Sequence, residues 1–252
     1  MTAALVRRGL NDVVRVPGAT VPTVLTPTIL VLAVTALFGN LAQLPDFGTR
    51  DYLTFLVPFG LLQAAAITGG ATGVNLARDI EDGFFDRLLT APVPRGALLA
   101  STVLSAAVRV MMPVALLLIV CFGLGATFPG VDGLVLAIAM CAGFTLVAAS
   151  WGALVAVATG TQSAGPLMQA PMILAVLLTT SYAPQDLLAP WMQTVSDWNP
   201  VTDILTTTRQ GFVGDITWAS TWPGLVAIAA LFAVLFGLAL KRMAHLGQAA
   251  HT

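Results

Sequence analysis

The residues able to do bond chemistry in this 252-residue chain are few, and they lie apart from one another. Both histidines, His245 and His251, stand behind the last apolar run. No Asp or Glu falls inside any long apolar run, so neither paired carboxylates nor a Ser–His–Asp constellation can be assembled there. No cluster has the spacing of metal ligands. A phosphate-binding loop needs Gly-Lys-Ser/Thr at its end, but the single lysine, Lys241, lies between Leu240 and Arg242. That route to ATP hydrolysis is excluded, and energy for any transport must come from a partner or from an ion gradient. An ion-coupled carrier usually holds ionisable groups near the bilayer midplane. Arg109 is the one candidate, and the apolar run Val110–Phe128 behind it places it at the cytoplasmic edge of a span, where it can snorkel. Cys121 and Cys141 sit in apolar runs and read as small hydrophobes.

Two polar stretches do carry a pattern. In the first, Ile80, Phe84 and Leu88 recur every four residues with Phe85 and Leu89 beside them, while Asp79, Glu81, Asp82 and Asp86 fall largely off that stripe. The spacing predicts an amphipathic helix over about 79–90, stopped by Pro92 and Pro94. Helices that lie on lipid prefer Lys and Arg on the polar face. This face is mostly acidic, which favours docking on a protein. In the second stretch, Leu188, Trp191, Met192 and Val195 share one face of a short helix. Asn199 then caps another helix with Pro200 at its first position, followed by Ile204, Leu205, Thr208 and Phe212. Trp191, Trp198, Trp218 and Trp222 also fit an interfacial aromatic belt.

The elements that position these stretches are membrane spans. Hydrophobic residues make up 57% of the chain and charged residues 9%, against roughly 25% in a soluble domain. So few charges cannot cover a water-facing surface. The apolar runs predict an all-α, single-domain membrane protein with six spans at about 22–41, 53–74, 110–128, 133–158, 166–183 and 221–240. The fifth is short and carries Pro166 and Pro171. The longest connections are 75–109 and 184–220. Arg7, Arg8, Arg15, Arg78, Arg87, Arg95, Arg109, Lys241 and Arg242 fall on one side, and only Arg50 and Arg209 on the other. The positive side is cytoplasmic, so both termini are expected inside the cell membrane. The first apolar run is too long for a cleaved signal peptide. A net charge of −1 argues against a nucleic-acid partner.

The two stretches together resemble the ABC-2 type exporter permeases. Glu81, Gly83, Phe85-Asp86-Arg87-Leu88 and Pro92-Val93-Pro94-Arg95 match the family's run ahead of its third span. Pro190-Trp191-Met192, then Trp198-Asn199-Pro200-Val201-Thr202, then Arg209 match its external signature. The chain is most similar to the daunorubicin-type export permeases. The resemblance implies a dimer of two permease copies, served by a separate ATPase that holds the ATP and magnesium. It implies that Glu81, Gly83, Phe84, Phe85, Asp86, Arg87 and Leu88 couple to that ATPase. It implies a re-entrant external hairpin bearing Trp191, Trp198, Asn199, Pro200 and Arg209. Spans two and five would then face the dimer axis, which makes Gln63, Thr68, Gly69, Gly73 and Gln169 candidates for the pathway and dimer face. An apolar lining with sparse amides suits a hydrophobic or amphiphilic cargo such as a drug, antibiotic or lipid-like molecule. Two readings of another class stay open on the residues alone: a secondary transporter or channel without an ATPase, and a membrane-embedded assembly protein.

Overall fold

A backbone in lipid must satisfy its own N–H and C=O groups, and long apolar runs do this as helices. The computed structural model of the chain describes residues 17–44, 47, 49, 51–83 and 95–249, and among them there is no strand. The helices are α1 Pro17–Phe38, α2 Tyr52–Glu81, α3 Arg95–Arg109, α4 Met111–Gly123, α5 Gly130–Thr159, α6 Gly165–Leu177, α7 Pro190–Trp198, α8 Pro200–Arg209 and α9 Trp218–Ala249. Among the described residues, five stretches are long and apolar enough to cross a membrane: Thr23–Gln43, Tyr52–Glu81, Gly96–Gly123, Gly130–Thr159 and Trp218–Ala244. The remaining expected span, the fifth at 166–183, holds the 13-residue α6 followed by non-helical backbone. At 1.5 Å per residue α6 is about 20 Å long, short of a hydrocarbon core about 30 Å thick.

α2 is the hub. Within its apolar window 94% of residues are buried inside the chain, against 22% for α1 and 17% for α9. α5 packs on it most closely, with α1, α3, α4, α6 and α8 around it. The α2–α5 crossing depends on small residues. A Cβ added at Gly73 would lie 2.5 Å from the backbone of Gly152, so only hydrogen fits there. Gly69 meets Ala148 and Ala149 in the same way, and Gly70 packs on Gln169 of α6. The close approach allowed by Gly69 and Gly73 is therefore made within the chain.

Two helix boundaries differ from those expected. The third span starts at Gly96 rather than at 110, because α3 and α4 run on as one kinked rod. Pro113 has no N–H to give the Arg109 carbonyl, which accounts for the break at Val110. Arg109 thus lies inside that apolar stretch instead of at its edge, and its Nη2 donates to Thr72 Oγ1 of α2 at 2.6 Å. The second span runs on to Glu81, where one amphipathic helix was expected from about 79 to 90. Gly83 stops it: its φ of +66° is the left-handed conformation favoured after a helix, and its N–H returns to the Ile80 carbonyl. Phe84, Phe85, Asp86, Arg87 and Leu88 lie outside the described residues.

Candidate functional site

At about 45 Å, α2 is longer than the hydrocarbon is thick, so its last turn projects into water. Glu81 sits there, exposed. Its carboxylate accepts from the backbone N–H of Gln162 at 3.2 Å, from the Gln162 side-chain amide at 3.0 Å and from the Thr161 hydroxyl at 3.3 Å. These donors, the Gln162 backbone N–H first, hold the carboxyl below its usual range. Thr161 also caps the 3-10 turn Gln162–Ala164, accepting from Ser163 N, and that turn opens α6. One turn earlier on α2, Arg78 faces Asp82 at 4.0 Å, an exposed pair of little weight.

The opposite end of α2 is built differently. α7 and α8 are two short helices joined at Asn199, as the Asn-Pro pair leads one to expect. Asn199 Oδ1 accepts from Val201 N at 3.0 Å and so caps α8. Its Nδ2 donates to the carbonyls of Ala175 at 2.6 Å and Leu178 at 3.0 Å, which α6 leaves open where it stops. Thr179 and Ser181 give their hydroxyls to the Val176 carbonyl nearby. A single side chain therefore caps the start of one helix and the end of another. Pro200 occupies the first position of α8, where its missing N–H costs nothing.

Arg209, at the other end of α8, donates from Nη2 to the Thr180 carbonyl at 3.0 Å. Its guanidinium lies 3.9 Å over the centre of the Phe55 ring. Phe55 belongs to an aromatic cluster with Phe47 and Tyr52, whose ring centres lie 4.8 Å and 6.2 Å from its own. The Tyr52 hydroxyl donates to the Tyr182 carbonyl at 2.9 Å. Asp51, just ahead of α2, accepts from Leu53 N and from the Thr54 hydroxyl, and Thr54 Oγ1 accepts from Thr127 N. Trp191 and Trp198 point outward from α7 and are exposed, the placement of a membrane-interface belt.

Of the proposed pathway residues, Gln63 and Thr68 are buried in α2, while Gln169 is half-buried on α6. Gln63 Oε1 and Thr68 Oγ1 have no hydrogen-bond partner among the described residues.

The apolar helices around α2 and the short helices joined at Asn199 stand beside a clear kinship with known proteins. The family model for the ABC-2 type transporter matches residues 2–213. The chain belongs to the ABC-2 type transporter family. It is similar to the daunorubicin resistance ABC transporter permease protein DrrB1 of Streptomyces coeruleorubidus, with 29% identity over 231 residues, 89% of this chain and 79% of that one. The chain is thus a membrane-spanning transport subunit of the ABC-2 type, and a multi-pass membrane protein.

Sequence reasoning missed the tertiary partners of these motifs. Thr161 and Gln162 precede the expected fifth span and carry no pattern that pairs them with Glu81, although Thr at a helix start is an ordinary cap signal. Nothing local in the sequence pairs Asn199 with Ala175 and Leu178, or Arg209 with Thr180 and Phe55.

Proposed function

We propose that the permease works in an ATP-driven exporter that moves hydrophobic or amphiphilic small molecules out of the cell. It would act as a dimer of permease copies with a separate ABC ATPase chain, which would carry the ATP and magnesium. The observation that carries this reading is the kinship, over 89% of the chain, with a permease named for daunorubicin resistance. Support comes from the lining: buried Gln63 and Thr68 and half-buried Gln169 are sparse amides and hydroxyls among apolar side chains, which suits an amphiphile better than an ion. In this reading α6 and the backbone that follows it complete a sixth crossing of the cell membrane, with both termini cytoplasmic. α7 and α8 form a re-entrant hairpin over the outer end of the pathway. Glu81 to Leu88 then lie on the cytoplasmic side as the coupling segment.

Phe85 provides the test. An aromatic buried in a partner's groove contributes about 1.5–3 kcal/mol, so Phe85→Ala should weaken assembly with the ATPase roughly tenfold to a hundredfold. Tagged permease purified from its own membrane should bring down an ABC ATPase, and the Phe85→Ala variant should bring down far less while still inserting normally. If the wild-type chain transports cargo with no ATPase attached, a secondary carrier replaces this reading.

A further inference from the structure

In the coupling reading, Glu81 belongs to the run that engages the ATPase. The geometry points to a different task. A carboxylate has about four acceptor positions, and three of those of Glu81 are taken by Thr161 and Gln162 of its own chain. The turn it grips opens α6, so the carboxylate also lies at the positive end of a helix. α6 is held at its other end by Asn199, which closes its last carbonyls and starts the external α8. Beyond Glu81, α2 stops within two residues, at Asp82 and Gly83, and the chain enters the coupling segment.

We propose that Glu81 acts inside the permease, clasping the Thr161–Gln162 turn so that movement of the coupling segment pulls on α6 and, through Asn199, on the external hairpin. Thr161 and Gln162 are then positioning residues for coupling, a role that neither the motif nor the family match assigns to them. The inference rests on the exporter reading, since it needs a coupling segment that moves. It is a direct route across the membrane: Glu81 to the turn, the turn to α6, α6 to Asn199, and Asn199 to α8. The long buried α2 is a second, stiffer connection between the same two ends.

Two measurements test it separately. Hydrogen exchange on the permease alone in lipid nanodiscs needs no ATPase. Glu81→Gln leaves one acceptor oxygen for three donors, and exchange of the Gln162 amide should rise about fivefold to tenfold. Unchanged exchange overturns the clasp. In the assembled transporter, cargo moved per ATP hydrolysed should fall about threefold to tenfold for Glu81→Gln and for Gln162→Ala, with the amount of bound ATPase unchanged. The double variant should be no worse than the worse single one, because both remove the same link. Effects that multiply, or a loss of bound ATPase in Glu81→Gln with none in Gln162→Ala, overturn the proposal in favour of a direct ATPase contact. Phe85→Ala measured alongside separates the two readings. If it couples and assembles normally while Gln162 exchange still responds to Glu81→Gln, the clasp exists but its coupling role is overturned along with the exporter reading.

Discussion

The two ends of α2 are fastened by opposite kinds of chemistry. At the outer end of the proposed topology Tyr52 and Phe55 are 3% exposed and stack on each other, Phe47 packs on both at a tilt, and the Phe55 ring carries the Arg209 guanidinium. At the end that the same topology puts inside, Glu81 and Asp82 are exposed, and the fastening is three hydrogen bonds to a surface turn. Buried aromatic packing and a desolvated cation hold strongly and give up little when conditions change. Exposed hydrogen bonds exchange readily with water and contribute little net stability. In the proposed exporter one end would serve as a fulcrum and the other as a handle, the asymmetry a lever needs when force enters from the cytoplasm.

The largest effect should come from breaking both ends at once, at the middle. Gly73→Leu forces a side chain into the backbone of Gly152, where even a Cβ would stand at 2.5 Å. Backbone cannot yield as a side-chain tip can, so the cost should exceed the roughly 1–3 kcal/mol of ordinary overpacking. The measurable outcome is a collapse in the yield of folded, monodisperse protein from the membrane. A Gly73→Leu protein of normal yield and melting temperature would mean that α2 and α5 do not cross at this point.

A smaller but one-sided effect is expected at the hairpin. Asn199→Ala removes the cap of α8 and leaves the Ala175 and Leu178 carbonyls without their donor. The lost cap costs about 1 kcal/mol and each carbonyl left unsatisfied roughly 1–3 kcal/mol, so roughly 2–4 kcal/mol in all is reasonable after partial repair by water. Asn199→Asp keeps the capping oxygen and loses both donors, so it should recover only the cap's share. In thermal melts both variants should fall clearly below wild type, and Glu81→Gln should not. Equal shifts at the two ends would remove the distinction between fulcrum and handle.

How much of this the sequence disclosed follows the range of each interaction. The Asn199-Pro200 start of α8 is local, a cap and a first-turn proline in adjacent positions, and it is legible. The second job of Asn199, closing α6 more than twenty residues earlier in the chain, depends on tertiary placement and is not. Gly69 and Gly73 announce a close approach but not its partner, which is α5 of the same chain. Arg109 looked like an edge because the apolar count began after it. The small and hydroxylated residues before it, Ser101, Thr102 and Ser105, return their hydroxyls to helix carbonyls and so extend the span backwards. Gly83 stands in the coupling run by resemblance, and its positive φ, which ends α2, is not legible from that run.

The smallest effect, and the sharpest on the comparison, is the response to acid. The Glu81 carboxyl is held below its usual range, first by the Gln162 backbone N–H, then by the Gln162 amide and the Thr161 hydroxyl. A group whose folded value is depressed contributes its stabilisation in full above the unfolded value, about 4.3 for Glu, and loses it as pH falls through the folded value. The clasp should therefore be intact across the physiological range and open only in stronger acid. The turn it grips, Thr161, Gln162, Ser163 and Ala164, has no titratable side chain, and the charges beside it on α2 are Arg78, Asp79 and Asp82. Asn199, the corresponding fastener outside, does not titrate at all. After correction for intrinsic rates, exchange at the Gln162 amide should rise as pH drops below the ordinary carboxylate range, while exchange at Val201, bonded to Asn199, should not. Glu81→Gln should abolish the acid step and leave fast exchange at every pH. If the step survives in that variant, another carboxylate governs the turn, with Asp79 and Asp82 the first to replace. If Val201 follows the same acid curve, the two ends of the permease open together, and the inner end is not the separately movable one.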